Sequence, residues 1–451
     1  MDNRENLPNE SEALNDTFQK KHYVAITVLL VLLASLLTFI ITYGAMMASV
    51  EKDRIAIQEE YNAKWAQLGE FQTLAELYSS LPPELRNMEM YTKLAYLDYY
   101  YRTNYAGVID EERLVYMVAN GYIVGAGDLY GAYYTADEFK TLMDDTQGES
   151  VGIGVYVTQD ITTEDIRISY VMKNGPAYKA GLLPGDIVTH VNGKSVRELG
   201  YYTALDMVKG GEGTAVELTC LRGDESITVS IIREKITVES VIGEKHESDP
   251  TVGIVRIIEF NNETPNQFKS VIRELMNGGC TSLVFDLRGN PGGTLTAVVE
   301  MLDYLLPKDC VITTVRYAGE KQNVPYTSDD QGDEFQREFG ENVKMAVLVN
   351  GYTASAAELF TCALKDHGMA VVVGEKTYGK GCGQSVLQMS DGTGLVFTTF
   401  LYDPPKSANY NGVGITPDVE AELSEEAQKK NLFDLPHDAD DQMKAALEAL
   451  K

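Results

Sequence analysis

The residues of this sequence best suited to covalent chemistry are a serine, a lysine and a glycine-dense turn, each at an element boundary. The serine is Ser355, in Asn350-Gly-Tyr-Thr-Ala-Ser-Ala-Ala-Glu358, where a helix is expected to begin. Glu358 stands three residues on, the spacing of a capping box, so a structural Ser355 competes with a nucleophilic one. A nucleophilic hydroxyl needs a base. His367 is twelve residues along the same expected helix, about 18 Å away. His22, His190, His246 and His437 fall in other segments, so a Ser-His-Asp triad is not expected.

Gly374-Glu-Lys-Thr-Tyr-Gly-Lys-Gly-Cys-Gly-Gln384 offers another base. Lys380 lies between two glycines that allow close backbone approach, and so an enclosed site. An ordinary lysine, pKa about 10.4, is protonated at neutral pH. Burial lowers that toward the ~7–8 that suits a general base. Gln384 follows at an even offset, so a strand would face both side chains the same way. A straight strand would hold them about 13 Å apart, and Gly379, Gly381 and Gly383 can bend it shorter. Gly374 to Lys380 also spells the start of a P-loop. Gly381 stands where Ser or Thr would hold magnesium, and a strand rather than a helix follows, so nucleotide binding is not read here. A third cluster, Asp286-Leu-Arg-Gly-Asn-Pro-Gly-Gly293, ends a strand. Its glycines either aim main-chain amides at an anion or simply satisfy a turn.

The elements that must position these groups alternate strand and helix. Strands are expected at Val252–Ile258, Ser282–Leu287, Val343–Val349 and Ala370–Val373. Helices are expected from Thr264-Pro265 to Gly278, near Thr294–Tyr304, and after Ser355. The pattern is an α/β core. Residues 150–240 differ, with strand-length runs at Ile166–Tyr170, Ile187–Val191, Ala215–Leu221 and Ser226–Ile232 and one helix near Tyr201–Lys209. Residues 51–147 read as helical: a hairpin, a dimerisation arm or a spacer. Tyr23 to Val50 is an uncharged run of 28 residues, long enough for a membrane-spanning helix and too long for an ordinary signal-peptide core. The short head before it is expected to be cytoplasmic and the remainder outside.

The chain has 451 residues, room for about three globular units. Its net charge of −29 argues against a nucleic-acid partner, and 44% hydrophobic residues argue against global disorder. The five cysteines contain no C-x-x-C, so neither a disulfide framework nor a metal site is signalled.

The stretch Gly175–Gly193 (GPAYKAGLLPGDIVTHVNG) resembles the PDZ family, and Gly152-Ile153-Gly154-Val155 looks like its carboxylate-binding loop. From about residue 113 onward, the order of the PDZ stretch, Asp286–Gly293, the Ser355 segment, Thr377–Gly381 and Gly414-Ile-Thr-Pro-Asp-Val419 resembles the carboxyl-terminal processing peptidases, the tail-specific proteases of family S41. The resemblance implies Ser355 as nucleophile, Lys380 as general base and Gln384 as the residue that orients the lysine. The oxyanion hole would use a Gly292 or Gly293 amide and that of Ala356. No metal or cofactor is implied. A crotonase-like core with an inserted PDZ domain, an extracytoplasmic bacterial location and substrates with free C-termini are implied too. The expected divisions are 1–22 head, 23–50 transmembrane helix, 51–147 helical region with a possible homodimer contact, 148–236 PDZ domain, and 237–451 peptidase core with a C-terminal helix. Cys382 departs from the family pattern, as a packed or an oxidisable thiol beside the lysine. The segment Gly127–Gly131 matches only loosely. A catalytically inactive PDZ scaffold and a non-protease acyl-transfer enzyme are the alternatives.

Overall fold

The computed structural model describes residues 82–83, 86–160, 163–317, 323–329 and 334–451. The expected span at 23–50 lies outside them, and among the described residues no helix is long and apolar enough to cross a membrane. The chain divides into two compact units, Met1–Val108 and Ile109–Lys451. The first is described through helix α1 (Met88–Asn104), capped by the Asn87 side chain and without a buried residue.

The second unit begins with α2 (Glu111–Ala126), β1 (Ala132–Tyr134) and α3 (Ala136–Gln147). The region read as helical therefore contains a strand, which a three-residue Ala-Tyr-Tyr run does not announce. Tertiary pairing makes it one: β1 joins β18, described below. Next comes β2 (Glu149–Gly152) and then the PDZ-like sheet of β3 (Val155–Gln159), β4 (Ile166–Val171), β5 (Ile187–Val191), β6 (Lys194–Ser195), β7 (Ala215–Arg222) and β8 (Glu225–Ile232). Helices α4 (Pro176–Lys179), α5 (Val196–Leu199) and α6 (Tyr201–Val208) interrupt it. The sheet order β3-β4-β5-β7-β8 leaves β3 at an edge. Alternate residues of β7, Val216, Leu218 and Cys220, are buried against Ile168 and Ala204.

Strand β9 (Glu234–Thr237) returns to pair β2. The core follows as β10 (Val241–Lys245), β11 (Val252–Ile257), α7 (Thr264–Asn277), β12 (Ser282–Asp286), α8 (Leu295–Leu305), β13 (Val311–Tyr317), β14 (Val324–Thr327), α9 (Glu334–Phe339), β15 (Lys344–Val349), α10 (Ala356–His367), β16 (Val371–Gly374), β17 (Cys382–Gln388), β18 (Gly394–Asp403), β19 (Val419–Glu420) and α11 (Asp441–Ala449). The main sheet runs β10-β11-β12-β15-β16-β19, parallel from β11 onward. Both faces are covered, which is why its strands read as continuous apolar runs rather than alternating ones. Phe285, Val347 and Val372 pack under α7, α8 and α10 with Phe268, Met301 and Phe360. Val284, Leu348 and Val373 turn the other way, onto Met443 and Ala446 of α11. A second sheet, β1-β18-β13-β14 with β17 also on β18, stands beside it.

The C-terminal segment ties the two parts together. The Phe433 ring stacks on Tyr156 at 6.2 Å, under the Arg256 guanidinium at 4.8 Å, and Asp434 pairs with Arg167 at 2.8 Å. The PDZ-like sheet is thereby held against the core.

Candidate active site

All three chemistry-bearing segments leave the carboxyl ends of adjacent parallel strands: residues 287–294 follow β12, 350–355 follow β15 and 375–381 follow β16. A parallel sheet gathers such loops at one end, the usual place for a site in this kind of sheet.

Ser355 caps α10 with φ 56° and ψ −119°, a left-handed conformation for a residue with a side chain, and it is 6% exposed. Such a backbone costs about 1–3 kcal/mol and persists only where its surroundings enforce it. The enforcement comes from Glu358, fully buried one turn on. Glu358 Oε2 accepts from the Ser355 amide at 3.0 Å and from the Lys380 amide at 2.7 Å. Its Oε1 accepts from the Gly379 amide at 2.7 Å and the Thr377 hydroxyl at 2.6 Å. Burial pushes this carboxyl above its ordinary range, while the four donors pull the other way. The glutamate expected as a helix cap is thus also the clamp joining the serine's helix to the lysine's turn. Its spacing from Ser355 was visible in the sequence; its reach to residues 377–380 was not.

The Gly414–Val419 segment buttresses the same turn. The Ile415 amide donates to Thr377 Oγ1 at 2.7 Å, and Gly412 to the Gly379 carbonyl at 2.8 Å. Burial lowers the Lys380 pKa, opposed by Cys382, Asp128 and Glu358. The direction matches what a lysine base requires. Lys380 Nζ lies 4.6 Å from the centre of the Tyr130 ring.

The structure does not bring the remaining groups together as the sequence suggested. Among the described residues no hydrogen bond joins Lys380 to Ser355 or to Gln384. Burial raises the hydroxyl pKa of the buried Tyr402 on β18, and the nearby Ser355 side chain pulls it slightly back. Gln384 Nε2 lies 3.4 Å from Thr398 Oγ1 and 3.8 Å from Cys382 Sγ. A register shift between Gly383 and Gln384 re-aims the side chain, so the even-offset rule for a regular strand fails here. Cys382 is buried, and burial pushes its thiol up, away from a reactive thiolate.

The glycine turn lies against the serine: a β-carbon on Gly292 would fall 2.7 Å from Ser355 Cβ and 2.9 Å from the Ala356 nitrogen. The Gly292 amide donates to Asn290 Oδ1 at 2.8 Å, which corrects its expected place among the oxyanion donors. Gly293 and Ala356 remain as candidate donors, the latter in a first helical turn where no intrahelical acceptor exists. Gly293, φ 145°, admits no side chain, since a β-carbon would meet the Phe260 carbonyl oxygen at 2.0 Å. Asp286 anchors the turn from below. Burial raises its carboxyl pKa, but Arg288 and Arg256 outweigh that and hold it far below the usual range.

His367 lies at the far end of α10, its Nε2 2.8 Å from the Val311 carbonyl oxygen. No histidine of the described residues contacts Ser355. The arrangement can support attack by a serine hydroxyl assisted by a desolvated lysine, with amides at a glycine turn for the developing oxyanion.

The second site is the PDZ-like groove. Gly152, Ile153, Gly154 and Val155 line a cavity of about 280 Å³ with Leu205 and Val208 of α6. The Ile153 and Gly154 carbonyls accept from Ala177 and Met172 at 2.8 and 3.0 Å, fixing the loop. The neighbouring β3 edge is open to strand addition by an extended peptide.

Comparison with known proteins agrees with this geometry. The model of peptidase family S41 matches residues 251–421, and that of a PDZ domain residues 167–222. A "Probable CtpA-like serine protease" of Staphylococcus saprophyticus subsp. saprophyticus is 30% identical over 418 residues, covering 93% of this chain and 77% of that protein. A protein of the same description from Staphylococcus haemolyticus is 35% identical over 336 residues, covering 74% of this chain and 64% of that one, slightly under two thirds of its length. Among solved structures, a candidate S41 protease from Bacteroides fragilis NCTC 9343 shares the fold with a TM-score of 0.51 at 18% identity, over 66% of this chain and 82% of that one. With a strained serine clamped to the turn of a desolvated lysine, and so related to these proteins, the chain belongs to peptidase family S41, the serine-type peptidases, and carries a PDZ domain.

Proposed function

We propose that this protein is a membrane-anchored, extracytoplasmic serine endopeptidase that takes the free C-terminus of a protein substrate in its PDZ groove and cleaves by a Ser355/Lys380 mechanism. The observation that carries this reading is the grip of Glu358 on the Ser355, Gly379 and Lys380 amides, which fixes nucleophile and base to one carboxylate. Neutral Lys380 takes the Ser355 proton as Oγ attacks the peptide carbonyl, and the Gly293 and Ala356 amides stabilise the oxyanion. The lysine then gives its proton to the leaving amine. Water hydrolyses the resulting ester with the lysine again as base, freeing Ser355. Gln384 orients the lysine once it turns from Thr398. A fluorogenic peptide assay with Ser355→Ala as control tests the reading, and product masses distinguish hydrolysis from acyl transfer.

The core is read as crotonase-like, supported by its strand, glycine turn and helix units. The uncharged run at 23–50 supports the anchor, with the catalytic part outside. Homodimer formation is supported by α1, which buries nothing and exposes Tyr96, Tyr99, Tyr100 and Tyr101.

Two outcomes follow from this reading. Amidating the C-terminus of a model substrate removes the carboxylate that the Gly152–Val155 loop would bind, so cleavage should slow; equal rates for acid and amide would rule out end recognition. Burial lowers the Lys380 pKa, and the neutral amine is the active form, so kcat/KM should rise with pH and level off. The midpoint is expected below the ordinary lysine value of about 10.4. A midpoint near pH 6 that vanishes in His367→Ala would instead restore a histidine base.

A further inference from the structure

The loop between α2 and β1 reaches the lysine from a distant part of the chain. Gly127 ends α2 in a left-handed conformation, and Asp128 then pins the loop to β18. Asp128 Oδ2 accepts from the Thr398 amide at 2.8 Å, and Oδ1 accepts from the Thr398 hydroxyl at 2.8 Å and the Tyr130 amide at 3.1 Å. Burial raises the Tyr130 hydroxyl pKa, and the Tyr378 side chain of the lysine's own turn adds to that. Tyr130 thus sits on a pinned backbone, with the face of its ring 4.6 Å from Lys380 Nζ. Among the described residues the ammonium makes no hydrogen bond or ion pair, and the ring is the group whose contact with it the geometry defines.

A ring face attracts an ammonium and offers little to a neutral amine. The contact therefore separates the two protonation states of the one side chain that must change state for the reaction. We propose that Tyr130 is a positioning residue for Lys380: its ring holds the protonated side chain out of contact with Ser355, and loss of the proton releases the amine toward the nucleophile. This rests on the Ser355/Lys380 reading above. The other charged or titratable groups acting on the lysine are Cys382 from β17, Asp128 from the same loop and Glu358 from the start of α10. Substituting Tyr130 leaves all of them in place.

The test is the pH profile of kcat and kcat/KM for full-length variants. Tyr130→Leu keeps an apolar cover but removes the ring, so the midpoint of the alkaline limb should fall by about 0.4–1.5 pH units. Tyr130→Phe keeps the ring and loses only the hydroxyl, so its midpoint should stay within about 0.2 units of wild type. Tyr130→Trp strengthens the ring's attraction and should move the midpoint upward. An unmoved limb in Tyr130→Leu, or an equal shift in Tyr130→Phe, would show that the tyrosine merely fills space. If circular dichroism shows the leucine variant unfolded, the other pair decides: a tryptophan midpoint no higher than that of phenylalanine overturns the assignment. Lys380→Met is measured alongside. Activity in that variant would overturn the Ser/Lys reading itself, whereas an inactive Lys380→Met with an unmoved Tyr130→Leu limb overturns only the role of Tyr130.

Discussion

Lys380→Ala is expected to lower kcat/KM for a peptide substrate by about 10²–10⁴-fold, the usual contribution of a positioned general base. The fold should survive, because the turn is held through the backbone: the Lys380 and Gly379 amides still reach Glu358, and Gly412 still reaches Gly379. No histidine of the described residues stands near enough to take over. Lys380→Arg should be as inactive as the alanine variant, since a guanidinium stays protonated throughout the working range. Retention of more than about a tenth of wild-type turnover in either variant, with an unchanged melting transition, would remove Lys380 from the mechanism; the general-base contribution leaves no room for it.

Glu358→Gln is expected to be the most damaging near-isosteric change in the molecule. Each carboxylate oxygen accepts two donors, Ser355 and Lys380 on one side, Thr377 and Gly379 on the other. With its NH₂ toward Ser355 and Lys380 a glutamine faces two amide donors with nothing to accept; turned the other way, the Thr377 hydroxyl can rotate to accept, and the Gly379 amide is left unmet. The better orientation leaves one unmet buried amide at about 1–3 kcal/mol, so denaturant unfolding should register a loss of about 1–3 kcal/mol. Activity should fall by about 10²-fold or more, because displacing the serine or lysine by even an ångström is costly at this step. A variant that keeps both its stability and its turnover would show that the clamp is dispensable and that the strained Ser355 backbone is held by other contacts.

The local features of this protein were legible in the sequence. The apolar runs at 252–258, 282–287 and 343–349 became β11, β12 and β15 because strands buried on both faces need no polar alternation. The Pro265 start and Gly278 end delimited α7, and the Ser355–Glu358 spacing located the start of α10, since helix ends are set by nearby donors and acceptors. A lysine among glycines foretold a desolvated amine, and the pKa direction agrees. The groove residues Gly152–Val155 were named from the PDZ resemblance and do line a cavity.

Only the tertiary structure decided how these pieces meet. The sheet order β12-β15-β16 brings three distant loops to one end, and that order follows from long-range pairing that no local pattern encodes. β1 and the long β18 were missed for the same reason: their partners lie far along the chain. The bulge at Gly383/Gln384 turned the glutamine toward Thr398, and the Asn290 side chain took up the Gly292 amide. Tyr130 reached Lys380 through a pin between Asp128 and Thr398. The sequence by itself determined which residues could do chemistry, because residue type and local backbone freedom are properties of short segments. Which of them touch, and through which oxygen, was decided by side-chain direction and strand register, which exist only once the sheets have formed.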